Sequence, residues 1–389
     1  MKDQDKEWLA SDMTQSPFRD NIYVSWTEFD AYGSTSPLDS SRILFSRSTD
    51  FGLTWSNPVR VSDQGGDCLD DDNTVEGAVP AVGPDGQVYV SWSGPNGIMF
   101  DRSLDGGVTF GNDVFVAPQP GGWNFAVPGI YRCNGFPITL CDVSNSPYRG
   151  TVYVVWSDQR NGVDNTDIFI IKSVDGGQTW GTVKRINDDT SGRQQFFVWA
   201  TVDPVSGFIY AAFYDRRNTS GNATDVYVAR STDGGETFQN FKVSATSFTP
   251  YSSVFFGDYI NIAALNGKVY PIWMRLDGTV LSVWTALIDD TPLLLDMGVS
   301  IVADFELYPN YPNPFNSSTR IEYQLPQAGH VKISVYNSLG QEVATLFNGN
   351  QSAGKFSLNF NAGNLPSGVY YYRLVSGSYS HTRKMILLR

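Results

Sequence analysis

Short runs in which Tyr, Val and Trp alternate recur along the first three quarters of the chain, and they predict β-strands. The clearest are IYVSW (residues 22–26), VYVSW (88–92), VYVVW (152–156), IYAAFY (209–214) and VYPIWM (269–274). Each is preceded by an apolar run: EWLASD near Glu7, AVPAVGP near Ala78, FPITLCDV near Phe136, FFVWATVDP near Phe196 and DYINIAAL near Asp258. Each is followed by a further strand, RILFSRS, GIMFDRS, DIFIIKS, DVYVARS or TVLSVWTALID. The repeated plan of strands predicts an all-β chain whose first part is built from five similar units.

Four of the third strands run into the same turn, S-x-D-x-G-x-T-[WF], at Ser48–Trp55, Ser103–Phe110, Ser173–Trp180 and Ser231–Phe238. Asp50, Asp105, Asp175 and Asp233 are placed to accept backbone N–H groups, the glycine supplies positive φ, and the aromatic plugs the turn into apolar space. These turns resemble the Asp-box (BNR) repeats of sialidase-like β-propellers, where the box joins the third and fourth strands of a blade. The resemblance implies a propeller over residues 1–290. Five units are visible and the family usually has six, so it also implies that upstream sequence is missing from this chain; a compact five-unit ring is the alternative. The opening MKDQDKEWLASD carries no apolar secretory segment.

After Asp290 the pattern stops. Residues 291–305 read as a linker, and YPNYPNPFN (308–316) opens a set of short strands: RIEYQL, HVKISVYN, QEVATLF, KFSLNF, GVYYYRL and HTRKMILLR. Their density over residues 306–389 predicts a small β-sandwich of immunoglobulin-like type. The blocks YPNPFN, VKISVYNSLGQEV, LPSGVYYYRL and KMILLR resemble the C-terminal sorting domain of type IX secretion cargo. That resemblance implies passage through the periplasm, contact with the type IX machinery, and a secreted or surface-attached product.

Charge divides the same way. Residues 1–300 hold 20 basic and 36 acidic side chains, and the remainder 7 and 4. An acidic body of this kind repels nucleic acid. No apolar run is long enough to span a membrane as a helix. Both histidines, His330 and His381, fall in the tail, which removes His-centred zinc and Ser-His-Asp chemistry from the body. Cys133 and Cys141 are spaced to clip one loop as a disulfide or to remain thiols, with Cys68 left over. Asp70, Asp71 and Asp72 offer oxygen ligands for calcium without the spacing of an EF-hand.

If the box faces one side of the disc, the second-to-third and interblade loops open on the other. There lie Glu28, Asp30, Glu76, Trp123, Tyr131, Arg132, Asp158, Arg160, Arg193, Tyr214, Asp215, Arg217, Tyr251, Asp258 and Arg275. Arginine forks and aromatic faces are what recognition of an acidic sugar uses. By resemblance to sialidases, Arg160, Arg217 and Arg275, with Arg132, Trp123 and Tyr131 beside them, would bind ligand. Tyr214 or Tyr131 would be the nucleophile, Glu76 its partner, and Asp158 or Asp215 the acid. The family's Phe/Tyr-Arg-Ile-Pro motif is absent. The expectation is therefore recognition of an extracellular glycan or other surface ligand, with an exo-glycosidase of exo-sialidase type, or a structural surface protein, as alternatives.

Overall fold

The computed structural model describes residues 2–71, 73–291, 293 and 305–389. By its contacts the chain divides into two compact units, Met1–Asp290 and Thr291–Arg389. Most of the expected linker lies outside the described residues, as does Asp72.

The first unit is a β-propeller whose blades are antiparallel meanders read in chain order. Blade 1 comprises Asp3–Ser11, Ile22–Phe29, Ser41–Ser48 and Val59–Arg60; blade 2, Glu76–Val82, Val88–Gly94, Gly97–Ser103 and Val114–Ala117. Blade 3 comprises Ile138–Cys141, Val152–Asp158, Asp167–Ser173 and Lys184–Arg185; blade 4, Gln195–Val202, Ile209–Asp215, Asp225–Ser231 and Gln239–Lys242. Blade 5 has Asn261–Leu265, Lys268–Asp277 and Val280–Thr285, and Ile288–Asp289 returns to pair with its second strand. Trp8, Val79, Ile138, Trp199 and Tyr259, one from each blade's inner segment, line a single small cavity. The five inner segments thus face one axis.

The four repeated turns explain how adjacent blades lock. In the third copy Asp175 Oδ1 accepts from Thr179 N at 2.9 Å, its Oδ2 accepts from Thr179 Oγ1 at 2.5 Å, and Gly177 N donates to Ser173 Oγ at 2.8 Å. The aromatic leans back onto the preceding blade: Phe110 meets Phe45 at 4.9 Å and Trp180 meets Phe100 at 5.1 Å. Trp55, on blade 1, is 43% exposed. The base ahead of each turn reaches forward. Arg47 donates to Gly106 O, Arg102 to Gly176 O and Lys172 to Gly234 O, at 3.1, 2.6 and 2.9 Å. Blade 5 has no such turn, and there Arg230 finds Asp290 at 2.7 Å instead. A second repeat, D-x-[TS]-x-S-P-[FY] at Asp12–Phe18 and Asp142–Tyr148, builds the first-to-second turn. Phe18 and Tyr148 close over Gly106 and Gly234, which puts these turns and the boxes on the same side of the disc.

One interblade position is out of pattern. The residue two before the box serine is Ser46, Asp101, Ile171 or Ala229. Asp101 is 2% exposed; its Oδ1 accepts from Arg102 N and Gly111 N at 2.6 and 3.0 Å, and its Oδ2 has no partner among the described residues. Burial pushes this carboxyl up to about 6. Its unfolded counterpart titrates near ~3.9, so the unfolded state loses its proton first and stability falls as pH rises from about 4 to about 6. Asp101→Asn is therefore expected to raise stability at pH 7 by about 2 kcal/mol and to give no gain at pH 4. Denaturant unfolding at the two pH values checks this; a gain that does not vary with pH would mean Asp101 is not the titrating group.

Of the two states left open for Cys133 and Cys141, the structure has the thiols. Cys68, Cys133 and Cys141 are all free, buried thiols. Cys141 packs between blades 2 and 3 with Val152, Val154 and Trp156, while Cys133 pairs with Phe125 in a separate two-stranded ribbon, so the two side chains belong to different packing units.

The C-terminal unit is a two-sheet sandwich. Glu306–Leu307, Ser318–Leu325 and Gly354–Asn361 form one sheet; Glu342–Gln351, Gly329–Tyr336, Gly368–Ser376 and Tyr379–Leu387 form the other. Leu307, Ile321, Tyr323, Ile333, Val335, Tyr372, Leu374 and Met385 fill the space between them. The strand Glu342–Gln351 pairs with Gly329–Tyr336, whereas an immunoglobulin constant-type domain keeps its fourth strand in the sheet with the first, second and fifth. These pairings establish a sandwich and go no further toward the immunoglobulin-like assignment.

Candidate functional site

Three inner strands carry the same irregularity. Pairing with the second strand shifts between Asp5 and Trp8, between Glu76 and Val79, and between Phe196 and Trp199. The bulged residues Lys6, Gly77 and Phe197 have φ of +55°, +76° and +53°. Glycine takes this conformation without cost, and a Cβ at Gly77 would lie 2.2 Å from the Phe136 ring. A lysine held there is strained by of order 1 kcal/mol, and strain of this kind persists only where surrounding contacts over-determine it.

Those contacts are ionic. Lys6 Nζ lies 2.8 Å from Asp5 Oδ2 and 2.5 Å from Glu76 Oε1, and it sits 5.3 Å from the centroid of the Phe136 ring. Glu76 is fully buried, with Oε2 accepting from Thr74 Oγ1 at 2.9 Å. Burial alone would lower the pKa of the Lys6 ammonium; the charge of Glu76 and the bonds to Asp5 and Glu76 outweigh it and hold the amine protonated, well above its ordinary range. Burial raises the Glu76 carboxyl, and the Lys6 charge opposes that shift.

Around this pair the loops converge. Tyr32, between the second and third strands of blade 1, donates its phenol to Asp70. Arg132 Nη1 lies 3.7 Å from Asp70, and Arg132 also forks onto Asp258, with Nε 3.1 Å from Oδ1. Burial and the Asp70 hydrogen bond push the Tyr32 phenol up to about 12, so it remains a donor at neutral pH. The Arg132 guanidinium lies over Phe255 at 5.8 Å, and Phe255 meets Tyr131 edge-on at 5.9 Å. Tyr131, Phe255 and Tyr32 are 63%, 52% and 50% exposed and stand at the rim. The result is a mouth at the loop-rich end of the axis, with Asp5, Glu76, Asp70 and Asp258 around Lys6 and Arg132 and three aromatic side chains above.

Of the residues singled out from sequence, Glu76, Asp70, Arg132, Tyr131 and Asp258 meet here. The others go elsewhere. Tyr214, expected as a nucleophile, is 1% exposed, its hydroxyl donates to Met274 O at 2.9 Å, and Phe196, Phe197, Phe248 and Phe256 surround it. Burial raises its pKa far above the usual phenol range, so it is a core residue without access to substrate. Trp123, expected to stack on ligand, is 3% exposed and stacks on Phe136 at 4.4 Å.

The expected arginine clamp does not assemble either. Arg160 closes on Asp158, Nε to Oδ1 at 2.9 Å, and lies 4.2 Å from the Phe169 centroid. Arg217 closes on Asp215 at 2.8 Å and lies 4.5 Å from the Tyr227 centroid. Arg275 closes on Asp277 at 2.6 Å and lies 5.1 Å from the Trp284 centroid. In the D-x-R pairs the backbone N of Arg160 or Arg217 also bonds the aspartate two residues earlier, at 3.1 and 2.7 Å, so the motif caps the strand end. Asp158 and Asp215 are fully buried, which leaves neither free to act as the proposed acid. Burial pushes Asp215 up to about 6, against the pull of Arg217. Asp70 and Asp71 turn to different partners: Asp70 to Tyr32 and Arg132, and Asp71 Oδ1 to Asn73 N at 3.1 Å.

Lys6, Asp5, Tyr32 and Tyr259 are site residues that sequence reasoning missed. Aligning the inner strands on Trp8, Val79 and Trp199 would have found the first two, since Lys6 then falls on the bulge position held by Gly77.

Among solved structures the chain is similar to Hadza microbial sialidase Hz136, at 14% identity and a TM-score of 0.45, with 74% of this chain and 53% of that chain covered. This chain thus spans about half the length of that sialidase. It is also similar to the alpha-L-arabinanase of Penicillium chrysogenum complexed with arabinobiose, at 14% identity and a TM-score of 0.44, covering 92% of this chain and 94% of that one. The polysaccharide lyase Uly1 aligns at 11% identity and a TM-score of 0.42, over 97% and 90% of the two chains. No curated protein matches the chain. No described helix is long and apolar enough to cross a membrane. Residues 310–388 match the family model of the secretion system C-terminal sorting domain, and the chain is accordingly one marked for export, to be secreted or attached at the cell surface.

Proposed function

We propose that the exported propeller is a glycan-binding module that takes its ligand at the axial mouth on the loop-rich face. The observation that carries this reading is the exposure of Tyr131, Phe255 and Tyr32 around a cluster of carboxylates and bases. Aromatic faces stack on sugar rings, and carboxylates accept hydrogen bonds from sugar hydroxyls. Acids outnumber bases at the mouth, since Asp5, Glu76, Asp70 and Asp258 face only Lys6 and Arg132. That balance favours a neutral or amino sugar over an acidic one.

The test is saturable binding of neutral oligosaccharides by the full-length chain, followed by calorimetry. Tyr131→Ala is expected to weaken binding about tenfold, ~1.4 kcal/mol, with an unchanged melting temperature, because the side chain is exposed and meets Phe255 only edge-on. Binding that is indifferent to Tyr131 removes the mouth as the site. The hydrolase alternative is read in parallel from turnover of aryl glycosides and an aryl sialoside. Turnover lost in Glu76→Gln under conditions where circular dichroism shows that variant still folded would make the mouth catalytic, and absence of both binding and turnover would leave a structural surface role.

A further inference from the structure

Arg216 is a cation sealed inside the propeller, with its residue only 2% exposed. Its Nε donates to Thr224 Oγ1 at 3.1 Å and its Nη1 to Pro128 O at 2.8 Å. Both acceptors are neutral. Nη2 is buried and has no acceptor among the described residues. Other arginines at the strand ends and loops differ in kind: Arg132, Arg160, Arg217 and Arg275 each hold a carboxylate.

The charges acting on Arg216 make the deficit plain. Burial pushes its guanidinium down to about 10, the charge of Arg193 pushes the same way, and the only opposing group is the Cys133 thiol. Burial raises the pKa of that thiol well above its ordinary value, so at neutral pH it offers no negative charge. Arg193 has the same gap: its Nη2 donates to Gly221 O at 2.8 Å, while its Nε is buried without an acceptor. Arg216 N donates to Gln194 O at 3.1 Å, so the two arginines sit on neighbouring backbone, each with a buried unused donor and neither with a carboxylate partner among the described residues. A buried cation without a partner is strongly unfavourable.

We infer that a free inorganic anion of halide size, chloride in an extracellular setting, is held between Arg193 Nε and Arg216 Nη2. Both donors are shut off from solvent, which excludes a carboxylate or sulfate carried on a glycan. The anion completes the hydrogen bonding of two arginines whose other donors already hold Pro128 and, within one loop, Gly221 and Thr224, so together with the segment that carries Arg193 it ties three loops of the loop-rich face. The inference does not depend on the glycan reading.

The experiment is thermal unfolding of the full-length chain in gluconate, titrated with chloride, bromide or sulfate at constant ionic strength. The melting temperature is expected to climb with the logarithm of chloride or bromide concentration and to ignore sulfate. Arg193→Gln, at a partly exposed position, is expected to fold and to lose the halide response. Arg216→Met, which removes the buried charge, is expected to lose it as well. Crystals soaked in bromide should show an anomalous peak beside Arg216 Nη2. A melting temperature that does not respond to halide, an equal response to sulfate, or a full response in Arg193→Gln would overturn the site.

Discussion

Removing residues 306–389 leaves the propeller in the periplasm of a host that carries the type IX machinery, while the full chain, behind the same cleavable signal peptide, reaches the outside. The expectation rests on two observations. The family match at residues 310–388 lies wholly within the deleted part. Three core clusters of the propeller are drawn from residues within Met1–Asp290, among them Tyr23, Trp92, Phe100, Trp156 and Phe213, so among the described residues the deletion removes no side chain from these three. The sandwich likewise has its own core, from Leu307 to Leu387. The truncated chain should therefore fold, accumulate as a soluble periplasmic species, and melt at the temperature of the propeller transition in the full chain. Cell fractionation and protease shaving of intact cells read the outcome as nearly all or none. Surface delivery of the deletion at the level of the full chain would remove the tail as the address. An unfolded or degraded deletion would instead show as loss of the periplasmic band.

The propeller was legible because its defining turn is local. Asp175 and Thr179 are four residues apart and bond each other, so the pattern is written in the sequence wherever the turn exists. The D-x-[TS]-x-S-P-[FY] turn is equally local, with Asp142 accepting from Ser146 at 2.5 Å, and it went unread because it occurs only twice in full. The site was less legible for a physical reason. Polar residues at strand ends look alike in a sequence whether they serve a ligand or cap the strand, and Asp158 with Arg160 and Asp215 with Arg217 turned out to be caps. Tyr214 had a warning beside it. The run Phe208–Tyr214 is apolar throughout, the mark of a strand covered on both faces, and every residue in it is buried. Lys6 gave the opposite difficulty: a lysine in a polar N-terminal stretch reads as solvent-exposed, and only the register of the inner strands places it on a bulge against Glu76.

Breaking that contact is the second large effect. Glu76→Gln leaves the Lys6 ammonium buried against Asp5 alone, and Lys6→Met leaves the Glu76 carboxylate buried with only the Thr74 hydroxyl. Removing one member of a buried pair typically costs about 3–5 kcal/mol, because the remaining charge has lost its counterion. Each single variant is expected to lose about 3 kcal/mol in denaturant unfolding. The double variant has no stranded charge at this position, so its loss should fall well short of the sum, with a coupling of about 2 kcal/mol. The coupling has a defined pH range. The Lys6 pKa is raised on folding, so its contribution is fully present below the unfolded lysine value near ~10.4 and is lost only as pH climbs through the higher folded value. The cycle should therefore give the same coupling at pH 7 and pH 9. A third variant separates strain from charge: Lys6→Gly relaxes the +55° backbone by of order 1 kcal/mol and should be less damaging than Lys6→Met, although both strand Glu76. Strictly additive losses would mean that Lys6 and Glu76 do not act as a pair, and the strained lysine would then have no counterpart to justify its conformation.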